Sequence, residues 1–134
     1  MKGIKVTYLK KIKSNTNINV AEYPKDFNFV AKRIFFVKGK KGEIRGSHAH
    51  KQHKQFMICV QGACLLDFDD GFMKKSILLS SKTKGVEVSS RIWGVQKYLQ
   101  ENTVLMVLSD HQYDEKDYIR SYTDFKKFIS KKIV

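Results

Sequence analysis

The chain has 134 residues and a mass of 15.6 kDa, with 42% hydrophobic and 12% aromatic residues, eight glycines and one proline. This composition excludes a disordered or low-complexity polymer, and the length fits one domain, residues 1–134, with a core of its own. The net charge is +13, but the lysines are scattered singly and in pairs, without a helix-turn-helix, zinc-knuckle or RNA-binding pattern; the charge therefore points to a small anionic ligand and not to nucleic acid.

In chain order, Ile4 to Leu9 reads as a strand, and Ser14 to Asn19 as a polar turn region. Arg33 to Val37 is rich in β-branched and aromatic residues and reads as a strand, followed by a glycine-lysine loop over Gly39 to Gly42. Strands are expected at Arg45 to His50, Gln55 to Val60, Ala63 to Phe68 and Lys74 to Leu79, with turns at Gln61-Gly62 and Asp69-Asp70-Gly71. A loop over Ser80 to Lys84 leads to short strands at Val86 to Val88, Val95 to Leu99 and Thr103 to Ser109, the last two joined at Glu101-Asn102. From Tyr122 the apolar residues Tyr122, Phe125, Phe128 and Ile129 fall at helical spacing, and Ser121 with Asp124 forms a capping pair. Short strands with regular turns predict an antiparallel sandwich or barrel carrying one C-terminal amphipathic helix. The longest apolar runs, such as Val104 to Leu108, are too short to span a bilayer, and the N-terminal lysines are followed by no apolar signal-peptide stretch. The expected location is the cytoplasm, with no membrane partner. Cys59 and Cys64 are expected as buried, reduced thiols in neighbouring strands.

The chemistry concentrates in Arg45-Gly46-Ser47-His48-Ala49-His50. Side chains at i and i+2 of a strand share a face, so both imidazoles point into one space. The spacing of Gly42, His48, His50, Gln55 and Gly62 resembles the first motif of the cupin superfamily, with Gln55 where metal-binding cupins carry Glu. The second motif usually supplies a further His, but Gly85 to Gln96 contains none. A transition-metal site needs three or four converging ligands. Glu87 is a stray carboxylate; His53, at i+5 from His48, is expected on the opposite face, and His53 and His111 on the surface. The expectation is therefore no metal, and two imidazoles free to move protons, work that suits a group of unperturbed pKa near 6.5.

Further blocks make the chain resemble the cupin-type nucleotide-sugar 3,4-ketoisomerases that act on dTDP-4-keto-6-deoxyglucose. They are Lys32 to Val37, the Arg45-to-Lys51 block around the two histidines, Asp69-Asp70-Gly71, Trp93, and a tail, Tyr113-Asp114-Glu115-Lys116-Asp117-Tyr118-Ile119-Arg120-Ser121-Tyr122 with Phe125. The resemblance covers roughly residues 30 to 128. It implies an all-β cupin, a double-stranded β-helix or jelly-roll barrel with one C-terminal α-helix, and a cofactor-free, dimeric, cytoplasmic isomerase. The implied reaction moves a ketone from C4 to C3 of a dTDP-linked hexose through an enediol, on the way to 3-amino-3,6-dideoxy sugars of surface glycans such as O-antigen. His48 and His50 are then the acid–base pair.

Substrate-binding residues are expected at Arg33, Arg45, Gln55, Arg91, Trp93 and Arg120, the arginines for a diphosphate. Arg45 reaches the site only if its strand bends at Gly46, and Arg120 has the competing expectation of an ion pair with Asp117 or Asp124. The family's tyrosine in the strand before the histidines is replaced by Phe35 and Phe36, so any phenolic role there is lost or moved, with Tyr98 and Tyr8 as the candidates. Competing readings are a metal-dependent cupin oxygenase or isomerase, a non-catalytic sugar-nucleotide-binding cupin, and a 3,5-epimerase on the same barrel.

Overall fold

The computed structural model describes residues 1–12, 15–80 and 84–131. Twelve strands, one 3-10 turn and one helix follow in order: β1 (Ile4–Tyr8), β2 (Lys10–Ile12), β3 (Asn15–Val20), β4 (Arg33–Gly39), β5 (Ile44–His50), β6 (Gln55–Gln61), β7 (Ala63–Asp69), β8 (Lys74–Ser80), β9 (Lys84–Val88), β10 (Trp93–Tyr98), β11 (Thr103–Ser109), the 3-10 turn Glu115–Asp117, β12 (Tyr118–Ile119) and α1 (Tyr122–Ser130). They build two antiparallel five-stranded sheets, β1-β9-β6-β11-β4 and β12-β5-β10-β7-β8, plus the β2–β3 pair. This is the predicted two-sheet β barrel with a C-terminal helix.

The sheets face each other because their inward residues alternate with polar or covered ones. In β11, Thr103, Leu105, Val107 and Ser109 are buried while Val104, Met106 and Leu108 turn outward. Leu105 and Val107 meet Cys64, Leu66 and Phe68 of β7, Ile77 and Leu79 of β8, and Val86 and Val88 of β9 in the inter-sheet core. Strand β6 breaks the alternation. Phe56 and Ile58, on its outer face, are buried under Phe27 and Phe29 of the segment before β4, so the strand reads as a continuous apolar run. The β6–β7 turn uses Gly62 at φ +79°, where an added Cβ would lie 2.9 Å from the Cα of Thr103.

One local expectation fails. The stretch Asn15 to Asn19, expected as part of a polar turn, is extended, because β3 pairs with β2 (Lys10 opposite Val20, Lys11 opposite Asn19). Ladder hydrogen bonds outweigh the turn preference of its asparagines. Ser14, and most of the loop expected over Ser80 to Lys84, lie outside the described residues.

The helix begins as expected: the Ser121 hydroxyl accepts the Asp124 N–H at 3.3 Å. Phe125, fully buried, packs on Ala49 of β5 and Ile119 of β12. Thus α1 braces the outer side of the strand that carries the two histidines. Both cysteines are buried free thiols, and burial pushes the Cys64 thiol up to about 12.

Candidate active site

Strand β5 is bent where its glycine allows. Gly46 (φ +82°) and Ser47 (φ +57°) are both left-handed, and β10 pairs its Gly94 with His48 but Val95 with Gly46, so Ser47 is the extra residue of a bulge. Beyond the bulge the strand alternates again. Ala49 faces the helix, and His48 and His50 face a pocket between the sheets. His53, Gln55, Ser89 and Gln96 complete its polar lining; Met57, Leu66, Phe68, Val88, Ile92 and Val95 form its apolar wall. The His48 and His50 rings meet edge-on, with centroids 5.0 Å apart.

The tail returns to this strand. Tyr118 pairs with His50 and Ile119 with Ala49, and the 3-10 turn before them delivers Asp117. One Asp117 oxygen, Oδ1, accepts the Gln52 N–H at 2.7 Å; the other, Oδ2, lies 2.9 Å from His50 Nδ1. A carboxylate only accepts, so the His50 proton belongs on Nδ1 and its lone pair on Nε2. That Nε2 is buried and has no partner. An unsatisfied buried polar atom costs about 1–3 kcal/mol, a cost that a ligand can offset by supplying the partner. Burial, reinforced by the neighbouring His48, pushes the His50 pKa down to about 4 against the upward pull of Asp117; burial likewise lowers His48. The result is an oriented, neutral imidazole pair with one base nitrogen ready.

His53 and His111 do not behave as expected. His53 is only 3% exposed, with its Nδ1 3.4 Å from Asp117 Oδ2. The strand ends at His50, and Lys51 N–H donates to the Asp117 carbonyl, so the period-two extrapolation to position 53 no longer holds. The His53 ring stacks on His50 (5.5 Å, 12°) and on His111 (4.5 Å, 7°), and His111 Nδ1 lies 2.6 Å from Asp110 Oδ1. The chain has four histidines, and they form one continuous row.

The other expected site residues divide. Gln55, buried at the start of β6, lines the cavity. Arg33 lies over the Phe35 and Tyr113 rings, its Nε and Nη2 buried without hydrogen-bond partners. The strand does bend at Gly46, yet the Arg45 guanidinium turns to Glu43 at 3.0 Å and leaves the cavity lining. Arg91 donates its N–H to the His50 carbonyl at 2.7 Å, while its guanidinium sits over Phe128 of α1. Trp93 faces outward against Tyr122 and Phe125. Arg120 holds Glu115 in a two-pronged ion pair (2.8 and 2.9 Å), not Asp117 or Asp124, and covers the Tyr118 ring at 4.3 Å.

Neither proposed tyrosine meets the histidines. The Tyr98 hydroxyl donates to Gln96 Oε1, and Tyr8 is 74% exposed. The phenol beside them is Tyr118, 4.6 Å from the His50 ring and 5.0 Å from His48. Asp117 and Tyr118 belong to the tail block quoted above; the signal was present, but not its pairing with β5. Glu87 accepts the Asn28 N–H at 2.8 Å and is not among the cavity-lining residues.

The donors do not fit a cupin metal. Around His48 and His50 the cavity offers two amides, Gln55 and Gln96, and no carboxylate. His50, His53 and Asp117 do cluster, but the His50–Asp117 separation of 2.9 Å is that of a hydrogen bond. Ligands about 2.0–2.1 Å from a tetrahedral zinc would stand roughly 3.3 Å apart. The His53–Asp117 separation is 3.4 Å.

The fold is a cupin-type double-sheet barrel with a histidine pair in its cavity, one of them tied to a buried carboxylate. The chain belongs to the FdtA family: the model described as "FdtA: WxcM-like, C-terminal" matches residues 2–130. It is 37% identical over 127 residues to the TDP-4-oxo-6-deoxy-alpha-D-glucose-3,4-oxoisomerase of Aneurinibacillus thermoaerophilus, covering 94% of this chain and 91% of that protein. A crystal structure of a 3,4-ketoisomerase from Helicobacter canadensis superposes with a TM-score of 0.87 at 28% identity, covering 96% of this chain and 98% of that one. The 3,4-ketoisomerase of Thermoanaerobacterium thermosaccharolyticum, solved as a histidine-to-asparagine variant with TDP-4-keto-6-deoxyglucose, gives 0.88 at 26% identity, with 100% and 99% coverage.

Proposed function

We propose that this chain is a sugar-nucleotide 3,4-ketoisomerase that converts dTDP-4-keto-6-deoxyglucose to a dTDP-3-keto-6-deoxyhexose, without metal or cofactor. The observation that carries the reading is the His50–Asp117 pair, which presents an unpartnered Nε2 at a cavity lined by a second imidazole. The C3 proton is acidified by the C4 ketone. His50 Nε2 removes it, the C3–H electron pair forms the C3=C4 bond, and the carbonyl oxygen takes a proton to give the enediol. Return of a proton to C4, with loss of the C3 hydroxyl proton, places the ketone at C3. His50 moves the carbon-bound proton; His48 and Tyr118 serve the two oxygens. Each correctly placed acid or base contributes about 10²–10⁴ in rate. Gln55 hydrogen-bonds the sugar. Arg33, with two donors free of partners, and Arg120 beside Tyr118 supply charge for the diphosphate.

The test is incubation with dTDP-4-keto-6-deoxyglucose followed by NMR of the sugar ring. Migration of the ketone to C3, lost in His48→Asn and His50→Asn variants, is the expected result; no migration with the native chain would reject the reading. The proposed setting is cytoplasmic supply of 3-amino-3,6-dideoxy sugars to surface glycans. No helix among the described residues is long and apolar enough to cross a membrane. We further propose a homodimer. Its support is the edge strand β4, which leaves Ile34 and Phe36 each 55% exposed on its outer face. Light scattering on the native chain and on Phe36→Glu tests it, and a native monomer would reject it.

A further inference from the structure

We propose that His53 and Asp117 form a proton path from His50 to solvent on the far side from the cavity, so that His50 exchanges protons while a nucleotide sugar fills the site. The inference rests on the acid–base role given to His50 above and assigns a task to a buried histidine which that role leaves unused.

Three observations carry it. His53 borders two spaces at once: the inter-sheet cavity it shares with His48 and His50, and a separate outer recess it shares with His111, Asp117 and Tyr113. It is therefore the partition between them. Second, Asp117 Oδ2 stands between two ring nitrogens, 2.9 Å from His50 Nδ1 and 3.4 Å from His53 Nδ1, and the latter is buried with no hydrogen-bond partner. Once Oδ2 carries a proton, a slight ring rotation lets it donate that proton to His53 Nδ1. Third, His53 is clamped between two parallel rings, His50 inside and the half-exposed His111 outside. That stack holds its plane in register with the carboxylate. Burial keeps His53 below its ordinary pKa, with His111 and Arg33 acting in the same sense and Asp117 against them, so it passes a proton on without retaining it.

The transfers balance. When a proton arrives at His50 Nε2 from carbon, the Nδ1 proton moves to Asp117 Oδ2. From there it moves to His53 Nδ1, and His53 releases its Nε2 proton to water in the outer recess. A proton returning along the same path to His50 Nδ1 drives the Nε2 proton onto C4. No net charge accumulates in the buried cavity, where it would be costly. His53 touches neither reacting carbon in this scheme and acts through His50, as a positioning and relay residue.

The deciding measurement is the solvent exchange rate of the His50 Nδ1 proton by ¹⁵N-resolved NMR, with and without dTDP-glucose, which has no ketone and does not turn over. Exchange within threefold of the free rate when the cavity is filled is expected; a slowing of tenfold or more would show that water enters by the substrate mouth and would overturn the path. In His53→Phe, which keeps the stacked ring and removes both nitrogens, exchange should slow at least tenfold in both states. Its kcat should fall about tenfold with KM changed less than twofold. Unchanged exchange in His53→Phe would overturn the path even if kcat fell. Failure of dTDP-glucose to bind would count against the functional reading instead, and His53→Phe in the free protein would still decide the path.

Discussion

Replacing Asp117 by Asn tests the orientation of His50 with almost no change of shape. Asp117 is buried, and its two oxygens accept from two donors, Gln52 N–H and His50 Nδ1–H. An amide has only one oxygen. If that oxygen keeps Gln52, the amide NH₂ faces His50 Nδ1, which must then accept, and the ring proton is forced onto Nε2. The base nitrogen is then blocked. If the oxygen keeps His50, the NH₂ confronts the Gln52 N–H and a buried donor is left unsatisfied, at about 1–3 kcal/mol. The wrong tautomer is thus favoured about 5- to 150-fold. Loss of the anion also removes a group that raises the His50 pKa, making the remaining base weaker. Together these effects predict a fall in kcat of about 10²–10³, within the range typical of a lost acid–base group. The assay is initial-rate ketone migration by NMR, with circular dichroism to confirm the fold. A kcat within threefold of the native value, at unchanged KM, would refute the assignment of Asp117 as the residue that sets the tautomer.

Four further outcomes are expected. Because His50 is depressed to about 4 by burial, kcat/KM should hold through pH 5–6 and fall only as His50 protonates near pH 4; an acid limb centred near 6.5 would contradict the buried, neutral base. The same depression makes the unfolded chain bind a proton that the folded chain does not, so stability is whole above pH 6.5 and declines as pH falls toward 4, by about 3 kcal/mol from His50 alone, measurable as urea midpoints across that range. Phe125→Ala, which removes the fully buried ring behind Ala49, should cost about 3–5 kcal/mol and lower kcat by loosening β5; an unchanged urea midpoint would show that the helix does not brace the strand. Prolonged dialysis against EDTA should leave kcat within twofold, and a stoichiometric metal in the purified protein whose removal abolishes activity would overturn the proton-sharing reading of the His50–His53–Asp117 cluster.

Local pattern was legible in the sequence, and pairing partners were not. The β strands, the Ser121 cap and the shared face of His48 and His50 follow from periods of two and 3.6, which reside in neighbouring residues. The polar segment at 15–19 misled because its partner β2, not its own side chains, makes it extended. His53 misled because the strand stops three residues earlier and a hydrogen bond from Lys51 to Asp117 turns the chain. Asp117 and Tyr118 stood in a recognised block, but their contact with His50 spans 67 and 68 positions and depends on β12 adding to the sheet edge. Arg45, Arg91 and Trp93 lie beside site residues in sequence, yet their side chains are engaged elsewhere, by Glu43, Phe128 and Tyr122. Adjacency in sequence placed their backbone, and long side chains chose their own partners.

The β5–β12 pairing has a consequence for biosynthesis. Strands β1 to β11, with the whole inter-sheet core, precede residue 110, whereas Asp117, Tyr118 and Phe125 come after it. The scaffold's strands are therefore synthesised before the groups that orient and brace its imidazoles. A chain cut after β11 would keep every residue of the inter-sheet core and lose the carboxylate, the phenol and the helix ring that surround its imidazoles.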